Sequence, residues 1–131
     1  MKKKKRILGI ILACIMIMSI SGTCMATEAS FSKVYVDSNT WTHIKTLKKE
    51  TTTKTATLNL KAIYKANGAT SNYVKIETKV QGGYAKISYV GVMNTIPIPS
   101  SRQSAGKSVP LYAMGYNPRL DCRITGSWIV H

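Results

Sequence analysis

Between Thr55 and Lys65 the chain alternates with a period of two: Ala56, Leu58, Leu60, Ala62 and Tyr64 on one side, Thr55, Thr57, Asn59, Lys61 and Lys65 on the other. A strand with one face in a core and the other in water reads this way. A connection carrying Asn67-Gly68 leads to a second alternating run, with Val74, Ile76, Thr78 and Val80 on one parity and Tyr73, Lys75, Glu77 and Lys79 on the other. Gly82-Gly83 then supplies the dipeptide of a two-residue hairpin. Pairing Gln81 with Tyr84 puts Val80 opposite Ala85, Thr78 opposite Ile87 and Ile76 opposite Tyr89, which predicts one apolar face. Carried back across the longer connection, the same register sets Leu58 beside Val80, Leu60 beside Thr78, Ala62 beside Ile76, and Lys61 opposite Glu77.

The rest of the chain is also strand-like. Residues 27–30 read as a loose leader, residues 31–36 as an aromatic and β-branched strand, and residues 41–47 as a short strand of ambiguous parity. Residues 94–107 hold Pro97, Pro99, three serines and Gly106, which predicts a long crossing loop. Residues 109–114 form a strand that Pro110 points to a sheet edge, and Asn117-Pro118 marks a turn. In the last strand Cys122, Ile124, Gly126, Trp128 and Val130 alternate with Asp121, Arg123, Thr125 and Ser127. Pairing it back on 109–114 sets Ala113 opposite Cys122 and Tyr112 toward Arg123. No long segment after residue 26 keeps a helical period. The pattern predicts an all-β fold, a two-sheet antiparallel β-sandwich of about six or seven short strands.

Before this domain the pattern changes. Lys2 to Lys5 and Arg6 precede an apolar run of 14 residues, 7–20, and the small, polar segment 21–26 follows. The run falls short of the roughly 18 to 20 residues needed to cross a bilayer. Residues 1–26 are therefore expected to be a signal peptide cleaved near Ala26, and residues 27–131 a single secreted domain. Cys14 and Cys24 leave with the signal, so Cys122 is the one thiol of the mature chain. Its parity with Ile124 and Trp128 predicts a buried thiol, and an intermolecular disulfide is the alternative.

Charge sharpens the picture. Of 19 basic residues the signal holds five, which leaves 14 against all five acids, a balance of +9. An exported cationic domain has teichoic-acid-like polymers and anionic lipid headgroups as natural neighbours, whereas export disfavours nucleic acid. The bland alternative is a solvated lysine-rich surface. In the register above, Lys61, Lys65, Lys75, Lys79, Lys86, Tyr73 and Tyr84 share the outward face, with Lys79 directly opposite Lys86. This Lys/Tyr face is the candidate site for an anionic envelope polymer or membrane surface. Chemistry has little to draw on: His43, His131, Cys122 and the scattered carboxylates match no nucleophile–base pair, no paired acids and no metal-ligand spacing, so no enzyme activity, metal or cofactor is expected.

Residues 108–128, SVPLYAMGYNPRLDCRITGSW, with the closing Gly126-Ser127-Trp128, resemble the last hairpin of small secreted Gram-positive proteins of the lactococcin-type β-sandwich bacteriocins. The resemblance covers about a fifth of the chain. It implies a β-sandwich and a role at the cell envelope; the chain departs from it in length, in having few histidines and in Cys122. The expected function is a secreted, non-enzymatic binding protein, with a bacteriocin-like inhibitor or its immunity partner, and a matrix or fibre-forming protein, as alternatives.

Overall fold

The computed structural model describes residues 26–116 and 120–131. Residues 1–25 of the expected signal peptide and the Asn117-Pro118 turn lie outside the described residues. Among the described residues eight strands follow in order: β1 Thr27–Val36, β2 Thr42–Lys48, β3 Thr55–Lys65, β4 Lys75–Val80, β5 Lys86–Tyr89, β6 Met93–Pro97, β7 Ser108–Met114 and β8 Cys122–Val130. A single 3-10 turn, Ser100–Arg102, interrupts them. They form two four-stranded antiparallel sheets, β1-β8-β3-β6 and β2-β7-β4-β5, packed as the sandwich the alternation implies.

Between the sheets lie Val36, Leu58, Leu60, Ile63, Ile124, Trp128 and Val130 from the first and Ile44, Ile76, Val80, Val109, Leu111 and Ala113 from the second. The two layers are pinned by a polar contact as well as by burial: the Trp128 indole Nε1 on β8 donates to the Val109 carbonyl on β7 at 3.0 Å. Buried Asn94 holds the corner where the chain crosses from β5 to β6. Its Oδ1 accepts from the Tyr89 amide, and its Nδ2 donates to the carbonyls of Leu58, Tyr89 and Val92. Such a corner must be satisfied internally, because every unpaired backbone group taken from water costs about 1 to 3 kcal/mol.

Strand faces follow the sequence pattern over most of the fold, but past the β3 bulge Ile63 turns into the core and Ala62 and Tyr64, read as inward, do not. Strand neighbours depart from the pattern more widely. β3 keeps its predicted limits, but it pairs with β8 and β6, while β4 pairs with β7 and β5. The connection between β3 and β4 therefore changes sheets, and Lys61 faces no Glu77: it occupies a bulge between Leu60 and Ala62. Similarly β7 and β8 are not a hairpin. Ala113 stands opposite Thr42 and Thr78, Cys122 opposite Val36 and Lys65, and Arg123 opposite Tyr35 and Tyr64. Period two specifies which side of a strand is dry, and both sheets of a sandwich offer the same dry side, so alternation alone cannot choose the partner.

The β4–β5 register differs by one residue. Ile76 pairs with Ser88, Glu77 with Ile87 and Thr78 with Lys86. The cause is the turn: the Gly83 amide closes on the Val80 carbonyl at 2.8 Å and Gly82, at φ 80°, takes its left-handed position, so the turn starts earlier than the glycine pair suggests. Ser88 then enters the core, where its hydroxyl meets that of Thr78 at 2.6 Å, and Ile87 moves to the outer parity. Val74, placed inside by parity, lies before β4 and is 59% exposed.

Four further readings need correction. Residues 27–30 are strand, paired with 127–130 of β8, an assignment their polar side chains do not announce. Met93–Pro97 within the proline-rich segment is an edge strand on β3, with Pro97 at its end. Pro110 lies in an inner strand, β7, rather than at an edge. Its carbonyl faces the end of β4 and accepts from the Gln81 amide at 3.1 Å, so the missing N–H points to where the β4 ladder has already stopped. Ser127, read as outward, is buried, and its Oγ has no hydrogen-bond partner.

Candidate binding face

The outward parity of the second sheet gathers aromatic rings and cations. On β7, Tyr112 stands between His43 of β2 and Lys79 of β4. The row beyond it holds Met114 and Glu77, then Ile87 of β5, and the next pairs Lys75 with Tyr89. Trp41, immediately before β2, and Tyr116, just past β7, complete the face. Both lysines lie on rings: Lys79 Nζ is 4.3 Å from the Trp41 centroid and Lys75 Nζ 5.4 Å from that of Tyr116. His43 meets Tyr112 edge to face at 5.4 Å, and its Nε2 lies 2.7 Å from Thr46 Oγ1. Each ammonium keeps its charge at the surface while the ring carries part of its desolvation, an arrangement worth about 0.5 to 1 kcal/mol at exposed sites.

The seven sequence-derived candidates divide between the two sheets. Lys75 and Lys79 lie on this face. Lys61 and Lys65 are exposed on β3, in the opposite sheet. Lys86, at the exposed end of β5, takes the inward parity of Thr78, and it does not oppose Lys79, whose recorded partner is Tyr112. Tyr73 is partly buried against the core, and Tyr84 stands out from the β4–β5 turn. The expected single face is thus corrected to two, because the chain changes sheets between β3 and β4 and a one-residue register step inverts every side chain of β5. Trp41, His43, Tyr89, Tyr112 and Tyr116 were missing from the candidate set. For Tyr112 the signal was present as an outward parity beside Leu111 and Ala113.

The first sheet has a smaller cationic cluster. Lys33 Nζ lies 4.8 Å from the Tyr64 centroid and the Arg123 guanidinium 5.7 Å from that of Tyr35. These cations are tied to local structure. Arg123 donates to the carbonyls of Ala66 and Lys33, and Lys33 itself sits at φ 47° in the β1 bulge, its amide donating to Thr125 Oγ1. Nearby, hydrogen bonds from the Tyr35 hydroxyl and Ser38 hold the Asp121 carboxyl below its ordinary value. Lys49 is removed from both faces: its Nζ is bonded to the carbonyl and hydroxyl of Thr53, and burial lowers its proton affinity.

No family model, curated protein or solved structure matches this chain.

Among the described residues no three His, Cys, Asp or Glu side chains group as metal ligands, and no helix is long and apolar enough to cross a membrane. Cys122 is free and 3% exposed. Burial, with Asp121 beside it, pushes its thiol from 9.0 up to about 11. The folded state thus disfavours the thiolate: this contribution to stability is complete below pH 9.0 and declines as pH rises toward about 11. The Cys122→Ala variant should lose that part of the alkaline decline, measured as the difference in urea midpoints between the two proteins from pH 8 to 11. A thiol reagent at pH 8 should label native protein at least about a hundredfold more slowly than unfolded chain. Equal rates would show an accessible thiol and restore the intermolecular-disulfide reading.

Proposed function

We propose that the protein is an exported, non-enzymatic binding domain that recognises an anionic polymer of the cell envelope through the outer face of its second sheet. The observation that carries this reading is the pairing of Lys75 and Lys79 with aromatic rings on one face. The excess of nine positive charges in residues 27–131 means that few of the cations can find a carboxylate within the molecule. Rigid rings that hold ammonium groups at the surface reduce the side-chain entropy lost when a phosphate or carboxylate binds. The cationic, apolar and small-residue order of residues 1–26 supports export, and with it an envelope polymer over nucleic acid. The resemblance of the C-terminal region to envelope-directed bacteriocins points to the same compartment.

The test is retention on immobilised poly(glycerol phosphate). Removing Lys75 and Lys79 together, as Lys75→Ser and Lys79→Ser, should weaken binding by roughly ten- to thirtyfold, from about 1 kcal/mol for each cation at an anionic surface. The control pair Lys61→Ser and Lys65→Ser, on the opposite sheet, should change it by less than about threefold beyond a shared loss of net charge. High salt should release the protein. Equal losses from both pairs would reduce the effect to net charge, and binding to phosphatidylglycerol vesicles alone would identify a lipid surface in place of the polymer.

A further inference from the structure

A cleft of about 450 Å3 opens where the β4–β5 turn meets the segment after β6. Its volume lies within the range of small-molecule sites, roughly 300 to 1,000 Å3. Gly82 and Gly83 line one side with bare backbone, and a Cβ on Gly83 would come 3.3 Å from Pro99 Cδ and 3.4 Å from the Pro97 carbonyl oxygen, so any side chain there would crowd the cleft. The prolyl rings of Pro97 and Pro99 contribute apolar wall, Ser100 and Gln103 contribute a hydroxyl and a carboxamide, and none of the lining side chains is charged. Tyr84 stands at the cleft 84% exposed, far more than packing requires of a ring.

The cleft is also built in advance. Arg102, outside the lining, ties the two walls together: one guanidinium nitrogen donates to Gln81 Oε1 on the turn and another to the Ser108 carbonyl at the start of β7, both at 3.0 Å. Gln103 Nε2 donates to the Ile98 carbonyl at 2.8 Å, and the Gly83 amide is held by the Val80 carbonyl. The turn and the proline segment are thus fixed to the same strands, with little ordering left to a ligand.

We infer that this cleft binds a neutral pyranose ring. Its C–H face would stack on Tyr84 and the prolyl rings, and its hydroxyls would pair with Ser100, with Gln103 and with backbone groups of the glycine turn. An aromatic ring beside uncharged donors and acceptors fits a polyhydroxylated ring better than an ion, since no cation or carboxylate lines the cleft. The inference goes beyond the cationic face of the second sheet and does not depend on it.

The experiment is titration of methyl glycosides of glucose, mannose and N-acetylglucosamine into 15N-labelled protein. Saturable amide shifts should centre on Gly82, Gly83, Tyr84 and Ser100 with at least one of them, at affinities of about a millimolar for so small a ligand. Tyr84→Ala should weaken that binding by about tenfold or more, Tyr84→Phe should keep most of it, and Lys75→Ser with Lys79→Ser should leave it unchanged. Because Tyr84 is exposed, its variants should retain the amide spectrum of the folded protein, which the same measurement records. No saturable shift with any of the three sugars up to about 100 mM, or unchanged binding by folded Tyr84→Ala, would overturn the inference. Failure of the unsubstituted protein to be retained on the polymer, with its sugar shifts intact, would count against the cationic face alone.

Discussion

Gly126→Val should abolish cooperative folding, or leave a protein destabilised by at least about 4 kcal/mol, a large share of the 5 to 15 kcal/mol that holds a domain of this size. Gly126 lies in β8, an inner strand of the first sheet, opposite Phe31 of β1 and Leu60 of β3. Both partners bulge immediately afterwards, β1 between Phe31 and Val34 and β3 between Leu60 and Ala62. The neighbouring backbones therefore close in where β8 has no side chain, and a Cβ would overlap the Asn59 carbonyl oxygen and press on Phe31. Backbone of an inner strand cannot yield without breaking ladder bonds on both sides, so even Gly126→Ala should be strongly destabilising. Gly68→Ala is the control: at φ 86° with no atom within 4 Å of an added Cβ, it should cost only about 1 kcal/mol of backbone strain. Urea unfolding followed by circular dichroism separates the two, and a Gly126→Ala protein as stable as Gly68→Ala would mean that β8 is not enclosed in this way.

Trp128→Ala should cost about 3 to 5 kcal/mol, the range for deleting a large buried aromatic. Trp128 is wholly buried beside Leu58, and its indole joins the layers by donating to Val109. Trp128→Phe distinguishes packing from the hydrogen bond: it keeps most of the apolar contact and removes only the indole's bond to the Val109 carbonyl, at about 0.5 to 1.5 kcal/mol. Equal losses from Ala and Phe would assign nearly all of the effect to the indole N–H, and no loss from either would contradict an inter-sheet pin.

The sandwich and the faces of its strands were legible in the sequence wherever a strand separates core from water. β3 keeps its limits and alternates as read through Leu60, after which the bulge at Lys61 turns Ile63 inward in place of Ala62 and Tyr64; Cys122, Ile124, Gly126, Trp128 and Val130 point inward as their parity requires. The strand order was not legible. Leu58 and Val80 belong to facing layers of one core, which alternation cannot distinguish from neighbours in one sheet. Residues 27–30 became strand because β8 offers them a ladder, and Pro110 fits an inner strand only because β4 ends beside it. Those are properties of the partner, absent from the local pattern.

The candidate site suffered the same loss. Lys75 and Lys79 were found by parity and remain together, but the lysines assigned to their face from β3 belong to the other sheet. Trp41, Tyr112 and Tyr116 come together only through the β2-β7-β4 order, which no local signal encodes. What composition did establish is the surplus of cations over acids, and that surplus does not depend on topology.

The chain has two tryptophans, one at the second sheet's surface and one in the core, which makes the 15N indole spectrum a direct reporter of the proposed face. On addition of poly(glycerol phosphate), the Trp41 indole signal should shift with the amides of Lys75, Lys79 and Tyr112, return when salt is raised, and leave the Trp128 indole in place. A polymer that binds while Trp41 and its neighbours stay fixed, with the amides of Lys61 and Lys65 moving in their stead, would contradict the account.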